Sequence, residues 1–154
     1  MDYIDYAGSL RDKFGKSLKS KGYAIYGSGG GFRGQVNNLD LMLKSYKRLK
    51  IDEARQEYLK IMNQFLYTLN MDKYIRPYFK DYPVTPKNIL LQLSFSSPDN
   101  VRYNKPNITL IFNNENKIVY CVYESELKRF SKVFEETYEE ALKEVGKDAA
   151  ESGE

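Results

Sequence analysis

The chain contains no histidine and no tryptophan, and it has a single cysteine, Cys121, among 154 residues. Histidine is the side chain whose unperturbed pKa falls in the physiological range, and it is the commonest metal ligand. Its absence removes Ser-His-Asp triads, imidazole proton shuttles and zinc sites of mixed Cys/His ligation. A lone cysteine closes no disulfide within the chain and leaves the redox compartment unread. With no imidazole to activate it, Cys121 reads as a small strand hydrophobe. Long apolar runs are also missing, and none approaches the roughly 18 residues that span a bilayer. Met1-Asp2-Tyr3-Ile4-Asp5 carries acids where a secretion signal would carry lysine and then an apolar stretch. The expectation is a soluble chain without a transmembrane segment. It would be cytoplasmic, or in the cell envelope or secreted if a signal was trimmed.

What the chain does have is 14 tyrosines, 8 phenylalanines and an uneven charge distribution. Residues 1–80 hold fifteen Lys/Arg against eight Asp/Glu, and residues 81–154 hold nine against thirteen. The excess of base in the front half fits a solvated helix face or contact with an anion such as nucleic acid. At this length one domain is expected, burying roughly 70% of its unfolded surface. The expected boundaries are 1–146 for the domain and 147–154 for a small, polar, disordered tail.

Tyr3, Tyr6, Ala7, Leu10, Phe14 and Leu18 recur at helical spacing, with Gly22 as the stop. After Tyr23-Ala24-Ile25-Tyr26 comes a glycine-rich loop at 27–34. A second helix is expected from about 36 or 39 to 49, with Leu39, Met42, Leu43 and Tyr46 on its apolar side. The third helix is the clearest element: Asp52 suits the N-cap, and Ala54, Tyr58, Ile61, Met62, Phe65 and Leu69 form one stripe. Pro77, Pro83 and Pro86 then exclude a long regular helix, leaving an aromatic connector.

The period changes to two at Ile89, Leu91, Leu93 and Phe95, and again at Ile108, Leu110 and Phe112. A polar hairpin loop at 113–116 leads into the strand 118–123, antiparallel because the connection is short. Residues 127–134 read as a strand of the same meander, with Phe130 and Phe134 on one face. Thr137-Tyr138-Glu139-Glu140 is a capping box opening a last helix that stops at Gly146. The fold class expected is α+β: N-terminal helices on an antiparallel three-stranded meander, with a closing C-terminal helix.

Candidate chemistry is sparse. Gly29, Gly30, Gly31 and Gly34 satisfy the G-x-G-x-x-G spacing of a phosphate-cradling loop, which requires a strand before it and a helix after it. A meander with late strands is the wrong setting for a dinucleotide fold. Asp52 and Glu53 read as helix-start acids, and so do Glu135, Glu136, Glu139 and Glu140. Lys44, Lys47, Arg48 and Lys50 cluster beside Tyr46, but no nucleic-acid motif accompanies them, so nucleic acid is disfavoured. No catalytic residue, metal site or cofactor is assigned.

Asp52-Glu53-Ala54-Arg55, the stretch 74–88, and Glu136-Thr137-Tyr138-Glu139-Glu140-Ala141-Leu142 follow the glycine-rich loop. Together they resemble a group of small uncharacterised proteins of intracellular bacteria, many of which carry an export or lipoprotein signal. The resemblance covers most of residues 27–145 and brings no activity with it. It implies a bacterial source and a mature exported domain.

The function expected is a non-enzymatic binding domain with an unknown protein partner, contacted through Tyr74, Arg76, Tyr78, Phe79 and Tyr82. The alternatives are anion or nucleotide binding at the loop 27–34, and nucleic-acid binding through basic helices.

Overall fold

Asp2 opens the first helix, its carboxylate accepting from Asp5 N at 2.8 Å. In the computed structural model, which describes residues 2–151, helix α1 spans Tyr3–Ser17 and α2 spans Ile51–Met71. Strands β1 (Ala24–Phe32) and β2 (Val36–Ser45) lie between them, and β3 (Ile89–Phe95), β4 (Leu110–Asn114), β5 (Lys117–Glu124) and β6 (Arg129–Thr137) follow. Helix α3 (Tyr138–Glu151) closes the order. The architecture is α+β, with a single six-stranded mixed sheet in the order β1-β2-β3-β4-β5-β6.

Every neighbouring pair in the sheet is antiparallel except β2 and β3, which run parallel from Leu39↔Ile89 to Ser45↔Phe95. A parallel pair needs a crossover, and α2 supplies it. The expected second helix is therefore a strand, and in place of the expected three-stranded meander the antiparallel run β3–β6 has four strands within a sheet of six. The reason lies in residues 39–45: Leu39, Leu41 and Leu43 are buried while Asp40, Met42 and Lys44 are half-buried, which is period two. Leu39, Met42, Leu43 and Tyr46 also fit helical spacing, and a short apolar run leaves the two periods degenerate.

The residues 27–34 are likewise not a loop. Gly29, Gly30 and Gly31 pair with Asp40, Leu39 and Asn38 in β1, and Gly34 forms the hairpin turn with φ +73°.

Both α1 and α2 follow their stripes. Ala54, Tyr58, Ile61, Met62, Phe65 and Leu69 are all buried. The N-cap of α2 is Lys50, two residues earlier than expected; Glu53 accepts from Lys50 N at 3.2 Å, and Asp52 pairs with Arg55 at 2.9 Å. The three helices share one face of the sheet: α1 lies on β1 and β2, while α2 meets α1 and α3. The contact of α1 is close, since a Cβ on Gly15 would fall 2.6 Å from Ile25 Cδ1.

The capping box forms as expected, with Thr137 N on Glu140 Oε1 at 2.9 Å and Glu140 N on Thr137 Oγ1 at 3.1 Å. Helix α3 then runs through Gly146 to Glu151, and Lys147 pairs with Glu144 at 3.2 Å. Glycine costs an exposed helix only about 1 kcal/mol and stops it when it turns left-handed. Gly146 is not among the positive-φ glycines. Residues 152–154 of the expected tail, like Met1, lie outside the described residues.

Residues 127–134 contribute to β6, but Phe130 and Phe134 occupy opposite faces. The register passes from Tyr120↔Phe134 to Cys121↔Lys132, so Val133 is an extra residue. One bulge inverts the parity of all that precedes it.

Candidate anion-binding cleft

The face of the sheet without helices carries a cleft of about 290 Å³. Tyr26 of β1, Lys44 of β2, Ser94 of β3 and Phe130 of β6 line it, with Ser96, Asn100 and Arg102 from the connection between β3 and β4. Alternation places Lys44 and Ser94 here, because their neighbours Leu43, Ser45, Leu93 and Phe95 point into the core. The residues are also paired in register, Lys44↔Ser94.

Tyr26 sits at a β1 irregularity between Ile25 and Gly27. Its hydroxyl accepts a hydrogen bond from Gln92 Nε2. Phe130 arrives on this face through the bulge in β6.

Arg102 is held in place by rings. Its guanidinium carbon lies 4.6 Å from the centre of Tyr123 and 5.1 Å from that of Phe130. The two rings meet edge to face at 5.4 Å. Stacking of this kind fixes the guanidinium plane without consuming its hydrogen-bond donors. Among the described residues, neither Arg102 nor Lys44 has a carboxylate within ion-pair distance. A second cleft of about 280 Å³ shares Arg102 and adds Arg48, Tyr103 and Asn107. Arg48 lies 4.5 Å over Tyr103. No carboxylate lines either cleft among the described residues. The surface is therefore a patch of three cations, of which Arg48 and Arg102 lie over aromatic rings, with hydroxyl and amide groups between them.

The residues singled out in the sequence are distributed differently. Of the basic cluster, Lys44 faces this cleft, whereas Lys47 is bound to Glu57 at 2.6 Å on the helix side. Arg48 lies on Tyr103 and Lys50 caps α2. Since residues 36–45 are a strand, the second helix expected to carry the cluster from Lys44 is not formed, whereas α1 with Arg11, Lys13 and Lys16 is. Gly29, Gly30 and Gly31 lie in extended backbone, Gly34 lies in the turn, and β2, not a helix, follows it. The helix dipole and free amides that would draw a phosphate there are absent from that position.

The segment 74–82 is bonded largely to the protein itself. Tyr78 stacks on Tyr3 at 5.0 Å, Tyr74 meets Tyr6 at 4.4 Å, and Arg76 lies 4.8 Å over Tyr82. Phe79 is buried, and Tyr78 is half-buried. Tyr74 and Tyr82 keep nearly half their surface exposed.

Two buried polar clusters had no sequence signal. Glu136, expected as a helix-start acid, is 5% exposed; it accepts from Arg55 Nε at 2.8 Å and from the Tyr120 hydroxyl at 2.5 Å. Burial, and then the Glu136 carboxylate, push the Tyr120 phenol well above its usual range. Asn113, expected in a hairpin loop, is buried in β4. Its Oδ1 accepts from Leu91 N at 2.9 Å, and its Nδ2 donates to Ile89 O at 2.8 Å. That amide replaces ladder bonds where β3 and β4 stop pairing at Gln92↔Phe112. Cys121 is buried in β5, and burial pushes its thiol above the usual 9.0. Both clusters lie away from the cleft and fasten the core.

A helix-backed mixed sheet with a cationic, aromatic outer face defines an α+β domain of the open-faced kind. No described helix is long and apolar enough to cross a membrane. The chain belongs to the YLR108C C-terminal domain family, which matches residues 35–149, about three quarters of its length. No curated protein and no solved structure matches it significantly. Lys44, Ser94, Arg102 and Phe130 fall inside the matched span, and Tyr26 falls outside it.

Proposed function

We propose that the chain is a non-enzymatic binding domain that holds a small oxyanion in the cleft between Lys44 and Arg102. One observation carries the reading: two cations without a carboxylate partner converge on a cleft, and one of them is fixed by two rings. Guanidinium and ammonium groups left without acids are the common recognition elements for phosphate and carboxylate. A non-enzymatic role is supported by the absence of histidine and by the burial of the one thiol.

The test is a calorimetric or NMR titration of the full chain with inorganic phosphate at low ionic strength. Binding is expected in the wild type, with shifts at Lys44, Ser94 and Arg102. Lys44→Gln with Arg102→Gln should weaken it at least tenfold, about 1.4 kcal/mol. Both side chains lie at the surface of the cleft, so the thermal midpoint should fall by no more than the loss of the Arg102 ring contacts entails, a few degrees. Equal binding by the double variant, or no binding by either protein, sinks the reading.

A further inference from the structure

The cleft offers more than charge. Tyr26 is 46% exposed, and among the described residues its ring meets no other aromatic ring and no cation. Most other tyrosines near it in sequence are engaged: Tyr3, Tyr6 and Tyr23 each have a ring partner. Yet Tyr26 does not swing freely, because Gln92 holds its hydroxyl. A ring fixed at its tip, nearly half exposed and without an aromatic or cationic partner is a candidate stacking platform. Beside it, the hydroxyls of Ser94 and Ser96 and the amide of Asn100 line the same cleft. None of the three side chains takes part in a hydrogen bond within the described residues. Such groups suit the edge of a heteroaromatic ring, which presents donors and acceptors in its plane. Size sets the upper limit. At about 290 Å³ the cleft stands at the small end of ligand sites, which run from roughly 300 to 1,000 Å³. One ring system with one anionic group fits such a space, and a dinucleotide does not.

We propose that the ligand is a mononucleotide-sized anion whose planar base stacks on Tyr26 while its phosphate lies on Lys44 and Arg102. This rests on the oxyanion reading above and adds the ring. The family-matched span supplies both cations, and β1, which lies outside that span, supplies the platform. Recognition of the ring is thus a property of this chain's N-terminal hairpin strand.

The experiment compares three probes on the full chain: inorganic phosphate, ribose 5-phosphate and adenosine 5′-monophosphate. The nucleotide is expected to bind at least tenfold more tightly than ribose 5-phosphate, which differs from it by the base alone. Tyr26→Ala should lower nucleotide affinity to the level that wild-type protein shows for ribose 5-phosphate. In the unmodified protein, amide and side-chain shifts at Tyr26 and Gln92 should respond to the nucleotide and not to the sugar phosphate, a readout that needs no variant. Equal affinities for the two esters would overturn the ring proposal and leave the oxyanion reading standing. Failure of all three probes to bind overturns both. A single-stranded oligonucleotide binding far more tightly than the mononucleotide, with steep salt dependence, would overturn the small-ligand proposal in favour of a strand.

Discussion

Glu136 is one of four acids packed into residues 135–140, and it alone turns inward. Its carboxylate joins Arg55, which is 6% exposed, and the Tyr120 hydroxyl. Taking both charges out of water is expensive, so the intact pair is weak evidence of stability, whereas a broken pair is costly. Glu136→Ala should destabilise the protein by about 3 kcal/mol, the lower end of the range for breaking a buried pair, because Asp52 still lies 2.9 Å from Arg55. Urea unfolding measures it, and a loss below about 1 kcal/mol would contradict the burial argued for the pair. Glu136→Leu combined with Arg55→Met should recover most of the loss by filling the space with apolar atoms. Nothing in the string Glu135-Glu136-Thr137-Tyr138-Glu139-Glu140 distinguishes the buried acid. The distinction arises where β6 ends and α3 begins, a matter of tertiary packing. Asn113 teaches the same lesson. Its neighbours Asn114 and Asn116 are loop residues by composition, and its own role is to substitute for missing strand bonds.

At the scale of elements, the start of α3 carries a pH dependence. Glu139, bonded to Asn116, and Glu140, bonded to the Thr137 amide and hydroxyl, have carboxyls held below the usual 4.5. A depressed folded-state value means that their contribution is fully present above 4.5 and is lost as pH falls through the folded value. Thermal stability should therefore be flat above 4.5 and decline below it, and Glu139→Gln with Glu140→Gln should make the decline shallower. A decline of unchanged slope in the double variant would place the acid sensitivity elsewhere. This capping box was legible in four letters because its hydrogen bonds are local. The stripes of α1 and α2 were legible for a similar reason, as several turns of consistent spacing admit one reading. By contrast β2 was obscured by a run short enough to satisfy two periods, and β1 by its glycines, which suit a loop as well as an edge strand. The cleft was the least legible part. Lys44 and Ser94 face it only once β2 and β3 are known to be parallel, Phe130 only once the bulge at Val133 is counted, and Arg102 arrives from a connection with no period at all.

For the whole molecule, the family-matched span and the physical unit do not coincide. The match begins at residue 35, after α1 and β1, yet α1 packs on β1, β2 and α2 and contributes Ala7 and Phe14 to the core. Phe14 of α1 stacks on Phe65 of α2 at 4.7 Å, and Gly15 leaves room for Ile25 and Leu41 to reach the helix backbone. Tyr3 and Tyr6 tie the start of α1 to Tyr78 and Tyr74 beyond α2. β1 itself shields the edge of β2 over most of its length. Beginning the chain at Gln35 would therefore uncover Val36, Leu39, Leu41, Leu43 and Phe65, all now buried, and would leave β2 as an unpaired edge. Exposed strand edges bearing apolar side chains associate with one another. A fragment of residues 35–154 is thus expected to self-associate on size-exclusion chromatography and to lose the cooperative thermal transition of the full chain. Because Tyr26 leaves with β1, any soluble fraction should also bind adenosine 5′-monophosphate no better than ribose 5-phosphate. A monomeric fragment melting within a few degrees of the intact protein would show instead that β2–α3 is the folding unit. The N-terminal helix and strand would then be an attachment whose main contribution is the ring at the mouth of the cleft.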